Sequence, residues 1–146
     1  MRVLARLIPL LALLFVTPAL ADGPHRLALQ ISDNDADKMN AVLNVAANVS
    51  KYYSDKGEEV EIQIIAFNAG LHMLREDTSP MKDRIAQMAN ASFPAKVAFS
   101  ACNNTKEGME KREGHPVSII PQATLVPAGV VRLMELQEQG WSYLRP

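Results

Sequence analysis

The chain has 146 residues, 48% of them hydrophobic and 21% charged, with 15 basic residues against 16 acidic ones. That length suits one domain with a sizeable core, and a balance so near neutral, spread along the chain, gives no electrostatic case for a nucleic-acid partner. The single cysteine excludes an intramolecular disulfide; it leaves a buried inert thiol, a reactive free thiol or a bond to another chain.

The first residues read as an export signal. Arg2 and Arg6 make a positive start, and Leu7 to Val16 is an apolar core interrupted only by Pro9. Pro18-Ala19-Leu20-Ala21 then supplies small residues ahead of cleavage after Ala21. The apolar run falls short of the roughly 20 residues a membrane span needs. The expectation is a signal peptide at 1–21 and a periplasmic domain at 22–146, without membrane contact after cleavage. Loss of Arg2 and Arg6 leaves 13 of the 15 basic residues against 16 acidic ones, so the mature domain is slightly more acidic than the whole chain.

His25 to Ser32 ends in apolar-polar alternation and reads as a first strand, followed by Asp33-Asn34-Asp35 as a turn and helix cap. From Asp37, Met39, Val42, Leu43, Ala46, Val49 and Tyr53 recur at three- and four-residue steps, which makes one helix with an apolar stripe. Lys56-Gly57 closes it. Val60 to Phe67 starts as an alternating strand and becomes continuously apolar, as a central strand does. Asn68-Ala69-Gly70 breaks it, and Leu71-His72-Met73-Leu74 makes a short helical turn. Thr78-Ser79-Pro80 opens the next helix, with Pro80 near its first position and Ile85, Met88 and Ala89 facing inward.

Lys96 to Ala101 is a third strand leading to Cys102, and Asn104 to Arg112 a polar helix closed by Glu113-Gly114. An irregular connection through His115 to Thr124 precedes a short strand at Leu125-Val126-Pro127. A helix from Ala128-Gly129 through Leu136 ends at Gly140, and Trp141 to Pro146 is a final strand with its aromatics on one face. Five strands alternating with four helices predict one three-layer α/β/α sandwich on a mostly parallel sheet.

Chemistry concentrates at Cys102. A thiol where an apolar strand runs into a helix stands near free backbone N–H groups and the positive end of a helix dipole, surroundings that favour a thiolate. Strand ends also line the crevice where open α/β sheets bind ligands. Asn104 and Thr105 amides, with the Asn103 and Asn104 side chains, offer donors for charge on sulfur. His72, after the second strand, belongs to the same sheet edge and is a secondary candidate; a surface or capping role is its alternative. His115 beside Pro116 reads as loop.

Other sites are weaker. Asp33, Asp35 and Asp37 lack the glycine and distal glutamate of a calcium loop, and capping explains them. One cysteine and no histidines at ligand spacing argue against zinc, so no metal site is assigned. Gly70 and Gly129 are not a phosphate-binding fingerprint, so no nucleotide or other cofactor is implied. Met73, Met81, Met88 and Met109 read as core filling.

The segment Val97 to Thr105, ending in Cys102-Asn103-Asn104-Thr105, and the ending Leu125-Val126-Pro127-Ala128-Gly129 through Trp141-Ser142-Tyr143-Leu144-Arg145-Pro146 resemble the DsrE/DsrF-like family of small sulfur-relay proteins, in particular an exported branch. The resemblance in order and spacing spans Arg26 to Pro146. It implies an α/β/α sandwich with a flavodoxin-like strand order and a homo-oligomer, a trimer or hexamer. It also implies a cysteine, here Cys102, that carries sulfane sulfur as a persulfide between donor and acceptor proteins. The alternative is an oligomeric ligand- or partner-binding module with Cys102 as inert packing; a third reading is a redox sensor that dimerises through Cys102.

Overall fold

The computed structural model describes residues 23–91 and 93–146. The expected signal peptide at 1–21 lies outside the described residues. Among those described, no helix is long and apolar enough to cross a membrane.

In chain order the elements are β1 (His25–Ile31), α1 (Ala36–Lys56), β2 (Val60–Ala66), a 3₁₀ segment (Asn68–Leu74), α2 (Lys82–Ala89), β3 (Ala95–Cys102), α3 (Asn103–Glu113), β4 (Ala123–Val126), α4 (Gly129–Glu138) and β5 (Ser142–Leu144). The strands form one sheet in the order β4-β3-β2-β1-β5, and every pairing is parallel. The α/β/α sandwich is therefore the fold, with a fully parallel sheet. The flavodoxin-like order expected is not the one found: the strand beyond β1 is the fifth, where the flavodoxin order 2-1-3-4-5 places the second.

The order fixes the layers. Crossovers between parallel strands are right-handed. Successive steps from β1 to β4 run one way along the sheet and put α1, α2 and α3 on one face. The long return from β4 to β5 runs the other way and puts α4 alone on the opposite face. Two separate apolar clusters match this division. Leu27, Leu29 and Ile31 of β1, Ile62 and Ile64 of β2, and Val97 and Phe99 of β3 pack under Met39, Val42, Leu43 and Ala46 of α1 and Ile85 of α2. On the other face Ala28, Ile65, Phe67 and Cys102 pack under Leu133 and Leu136 of α4 and Trp141. Each fully buried large side chain contributes about 1.5–3 kcal/mol by its removal from water.

Local chemistry sets the element ends. Asp35 caps α1, its Oδ1 accepting the Lys38 N–H at 2.9 Å, while Asp33 pairs with Lys38 and Arg145. Gly57 closes α1 with φ of 70°, a left-handed conformation that costs glycine nothing. The helix expected from Pro80 begins later, at Lys82. The reason is Ser79: its hydroxyl donates to the Met73 carbonyl and accepts the Met81 N–H, holding residues 79–81 in a turn. The irregular stretch after α3 is tied down by pairing with the segment after the 3₁₀ turn. Glu76 N–H donates to the Ser118 carbonyl at 2.9 Å and Ile120 N–H to the Leu74 carbonyl at 3.0 Å.

Candidate functional site

The carboxyl edge of the sheet is where the connections change face. The connection leaving β3 goes to the three-helix side and that leaving β4 to the α4 side, so the switch point of the sheet falls between β3 and β4. Cys102, the last residue of β3, pairs there with Val126, the last of β4. It is also the N-cap residue of α3 (φ −70°, ψ 115°) and makes no side-chain capping bond. A strand ends and an 11-residue helix begins at the thiol with no loop between.

Alternation along β3 then decides which way the sulfur points. Val97, Phe99 and Ala101 belong to the three-helix face, so Cys102 turns to the α4 face and is only 5% exposed. Its neighbours are Phe67 and the first turn of α4. Gly129 makes this contact possible. A Cβ on it would lie 3.0 Å from Phe67 Cβ and 3.3 Å from Cys102 Cβ, so an added side chain would force these neighbours or the start of α4 to give by a few tenths of an ångström.

Other predicted donors go elsewhere. The Asn104 amide donates to the Pro127 carbonyl at 3.2 Å, which removes it from the set expected to hold charge on sulfur. Asn103 sends its side-chain amide to Glu107 Oε1 at 2.7 Å, along α3. Thr105 Oγ1 accepts the Asn68 N–H at 3.0 Å.

Thr105, Asn104 and His72 do come together, but on the three-helix side and without Cys102. Between the 3₁₀ segment and α3 lies a cleft of about 480 Å³ lined by Asn68, Ala69, His72, Asn104, Thr105, Gly108, Met109 and Arg112. The expectation puts His72 at the same sheet edge as Cys102; in this cleft His72 meets Asn104 and Thr105, and the thiol itself is absent from the lining. His72 Nδ1 shares a hydrogen bond with Thr78 Oγ1 at 2.9 Å, which orients the ring.

Two devices hold the cleft walls in place. One is Gly70, where a Cβ would overlap the Ile31 carbonyl; its absence lets the 3₁₀ segment lie directly on the end of β1. The other is Arg75, immediately after that segment. Its side chain is 3% exposed, and it donates to Asp77 Oδ1 and Oδ2 at 2.8 and 2.6 Å and to Glu113 Oε1 and Oε2 at 2.7 and 2.9 Å. Two bidentate pairs, strong because both partners are charged, clamp the end of α3 to the 3₁₀ segment. The guanidinium holds the Asp77 carboxyl down to about 2 and lowers that of Glu113.

Arg112, Gly108, Phe67 and Gly129 were not singled out as site residues from sequence. Gly108 offered a usable signal, being a glycine in mid-helix between good helix formers, Lys106-Glu107 before it and Met109 to Glu113 after it.

No family model matches the chain, and no curated protein matches it. Among solved structures it is similar to a protein of unknown function from Methanobacterium thermoautotrophicum, with a TM-score of 0.65 and 27% identity over 84% of this chain and 99% of that one. The likeness supports the α/β sandwich.

Proposed function

We propose that the protein handles sulfur, with Cys102 carrying sulfane sulfur as a persulfide. The observation behind the reading is the position of the thiol, at once the last residue of a central parallel strand, the N-cap of an 11-residue helix and a member of the sheet's switch point. Helix N-termini stabilise negative charge, which both a thiolate and a persulfide anion carry. In the reaction the Cys102 thiolate attacks the terminal sulfur of a polysulfide or of a donor protein's persulfide. The donor leaves as the shortened polysulfide or thiolate, and Cys102 keeps one added sulfur and the negative charge. An acceptor thiolate reverses the step, so no outside oxidant or reductant is consumed. The resemblance to DsrE/DsrF-like proteins supports the same reading. Export to the periplasm, argued from Arg2 to Ala21, and assembly into a homo-oligomer belong to the proposal.

Burial of the thiol at 5% exposure favours a second reading: an oligomeric ligand-binding module in which Cys102 is packing. Cyanide separates the two, since it removes sulfane sulfur as thiocyanate. After loading with polysulfide and desalting, a carrier yields close to one thiocyanate per chain and none from Cys102→Ser. Equal yields from the two proteins would end the sulfur proposal.

A further inference from the structure

The cleft between the 3₁₀ segment and α3 has a one-sided electrostatic character. Its one permanently charged lining residue is Arg112, and no carboxylate is among the residues that line it. Nearby acids are already committed, Asp77 and Glu113 to Arg75 and Glu110 to Lys106. Arg112 itself has no ion-pair partner among the described residues. An exposed guanidinium without a carboxylate, at one end of a polar cleft, is suited to bidentate binding of an oxyanion.

Gly108 gives the second, independent line. It occupies the middle of α3, where glycine costs roughly 1 kcal/mol relative to alanine. Packing does not require it: a Cβ there would meet nothing closer than Arg112 Nη1, at 3.6 Å. What the missing side chain does provide is floor space in the cleft that a longer side chain would fill. Asn104, Gly108 and Arg112 fall at four-residue steps on one helix face, spanning about 12 Å at 1.5 Å per residue. The volume is in the range of small-ligand sites.

We propose that this cleft binds a small elongated organic anion, with a carboxylate or phosphate seated on Arg112 and polar groups directed toward His72, Asn104 and Thr105. The inference does not depend on whether Cys102 carries sulfur, because the thiol does not line the cleft.

Calorimetric titration of the full-length mature protein with citrate, glucose 6-phosphate and uncharged glucose, at constant ionic strength, tests it. At least one of the two anions binds and glucose does not; which anion binds tells a carboxylate site from a phosphate site. Arg112→Gln weakens that binding about tenfold or more, as loss of a charge-assisted hydrogen bond does. Gly108→Leu keeps the wild-type circular dichroism and melting temperature, or raises the latter, yet abolishes binding. Failure of both anions to bind, binding of glucose as tight as that of its phosphate, or wild-type affinity in Arg112→Gln would overturn the proposal. Cys102→Ser binds the anion like wild type, so this experiment and the sulfur measurements fail separately.

Discussion

Arg75 is the residue on which the architecture of the cleft most depends. Its guanidinium is buried while its two carboxylate partners keep part of their contact with water; Asp77 is 51% and Glu113 31% exposed. Removing one member of a fully buried pair costs about 3–5 kcal/mol. Because both acids can rehydrate, Arg75→Ala should cost less, about 2 kcal/mol, read from urea unfolding. The same cluster sets an acid limit. Both carboxyls titrate lower in the folded protein than in the unfolded chain, so their contribution is complete above the ordinary carboxylate range and fades as pH falls through about 4 toward 2. Unfolding free energy of the wild type should drop across that window. Arg75→Ala should lose much of that slope, and an unchanged slope would place the acid sensitivity elsewhere.

At the scale of elements, the contact between β3 and the start of α4 governs access to Cys102. Gly129→Ala introduces a Cβ within 3.0–3.3 Å of Phe67 and Cys102, so these side chains or the start of α4 must give by a few tenths of an ångström. The expected outcome is destabilisation by about 1–3 kcal/mol, the usual cost of overpacking, together with faster alkylation of Cys102 as the first turn of α4 lifts. Slower or unchanged alkylation would mean that α4 does not cover the thiol.

Much of this layout was legible beforehand. β1, β2, β3 and α1 could be read because their apolar residues keep periods of two or run continuously in the strands, and of three to four in the helix, and the buried faces follow them. β4 and β5 are short and without buried residues, and β4 begins at Ala123, inside the stretch expected to be irregular. The start of α2 could not be read either. Pro80 is a good first helical residue, yet the Ser79 hydroxyl bridges Met73 and Met81 and delays the helix. Position and facing likewise part company at the site. The end of an apolar run located Cys102, but the face it takes depends on the order of strands in the sheet, which local pattern does not carry. The cleft was illegible for a related reason. It exists only because the 3₁₀ segment, set on the end of β1 by Gly70, lies alongside α3 some 37 positions later in the chain, as the Asn68 to Thr105 bond records.

For the molecule as a whole, the two layers are unequal. Three helices cover one face of the sheet and a single helix the other, and the first turns of that helix expose an apolar patch. Val130, Val131 and Met134 are 54%, 51% and 54% exposed and lie at neighbouring helical positions. A second copy of the chain is the partner proposed for this surface, in keeping with the homo-oligomer that the resemblance to DsrE/DsrF-like proteins implies. Light scattering of the purified protein should give a multiple of the chain mass, and Met134→Lys should shift it toward the monomer while leaving the circular dichroism unchanged. A wild-type monomer at micromolar concentration would remove the oligomer from the proposal.

All of the sulfur chemistry rests on one atom, the Cys102 sulfur, and the most direct measurement is the intact mass of the mature protein after exposure to polysulfide. The expected result is a gain of one sulfur atom that dithiothreitol reverses and that Cys102→Ser lacks. An unchanged mass, with the native thiol alkylating far more slowly than in the unfolded chain, would contradict it and leave Cys102 as packing beneath α4.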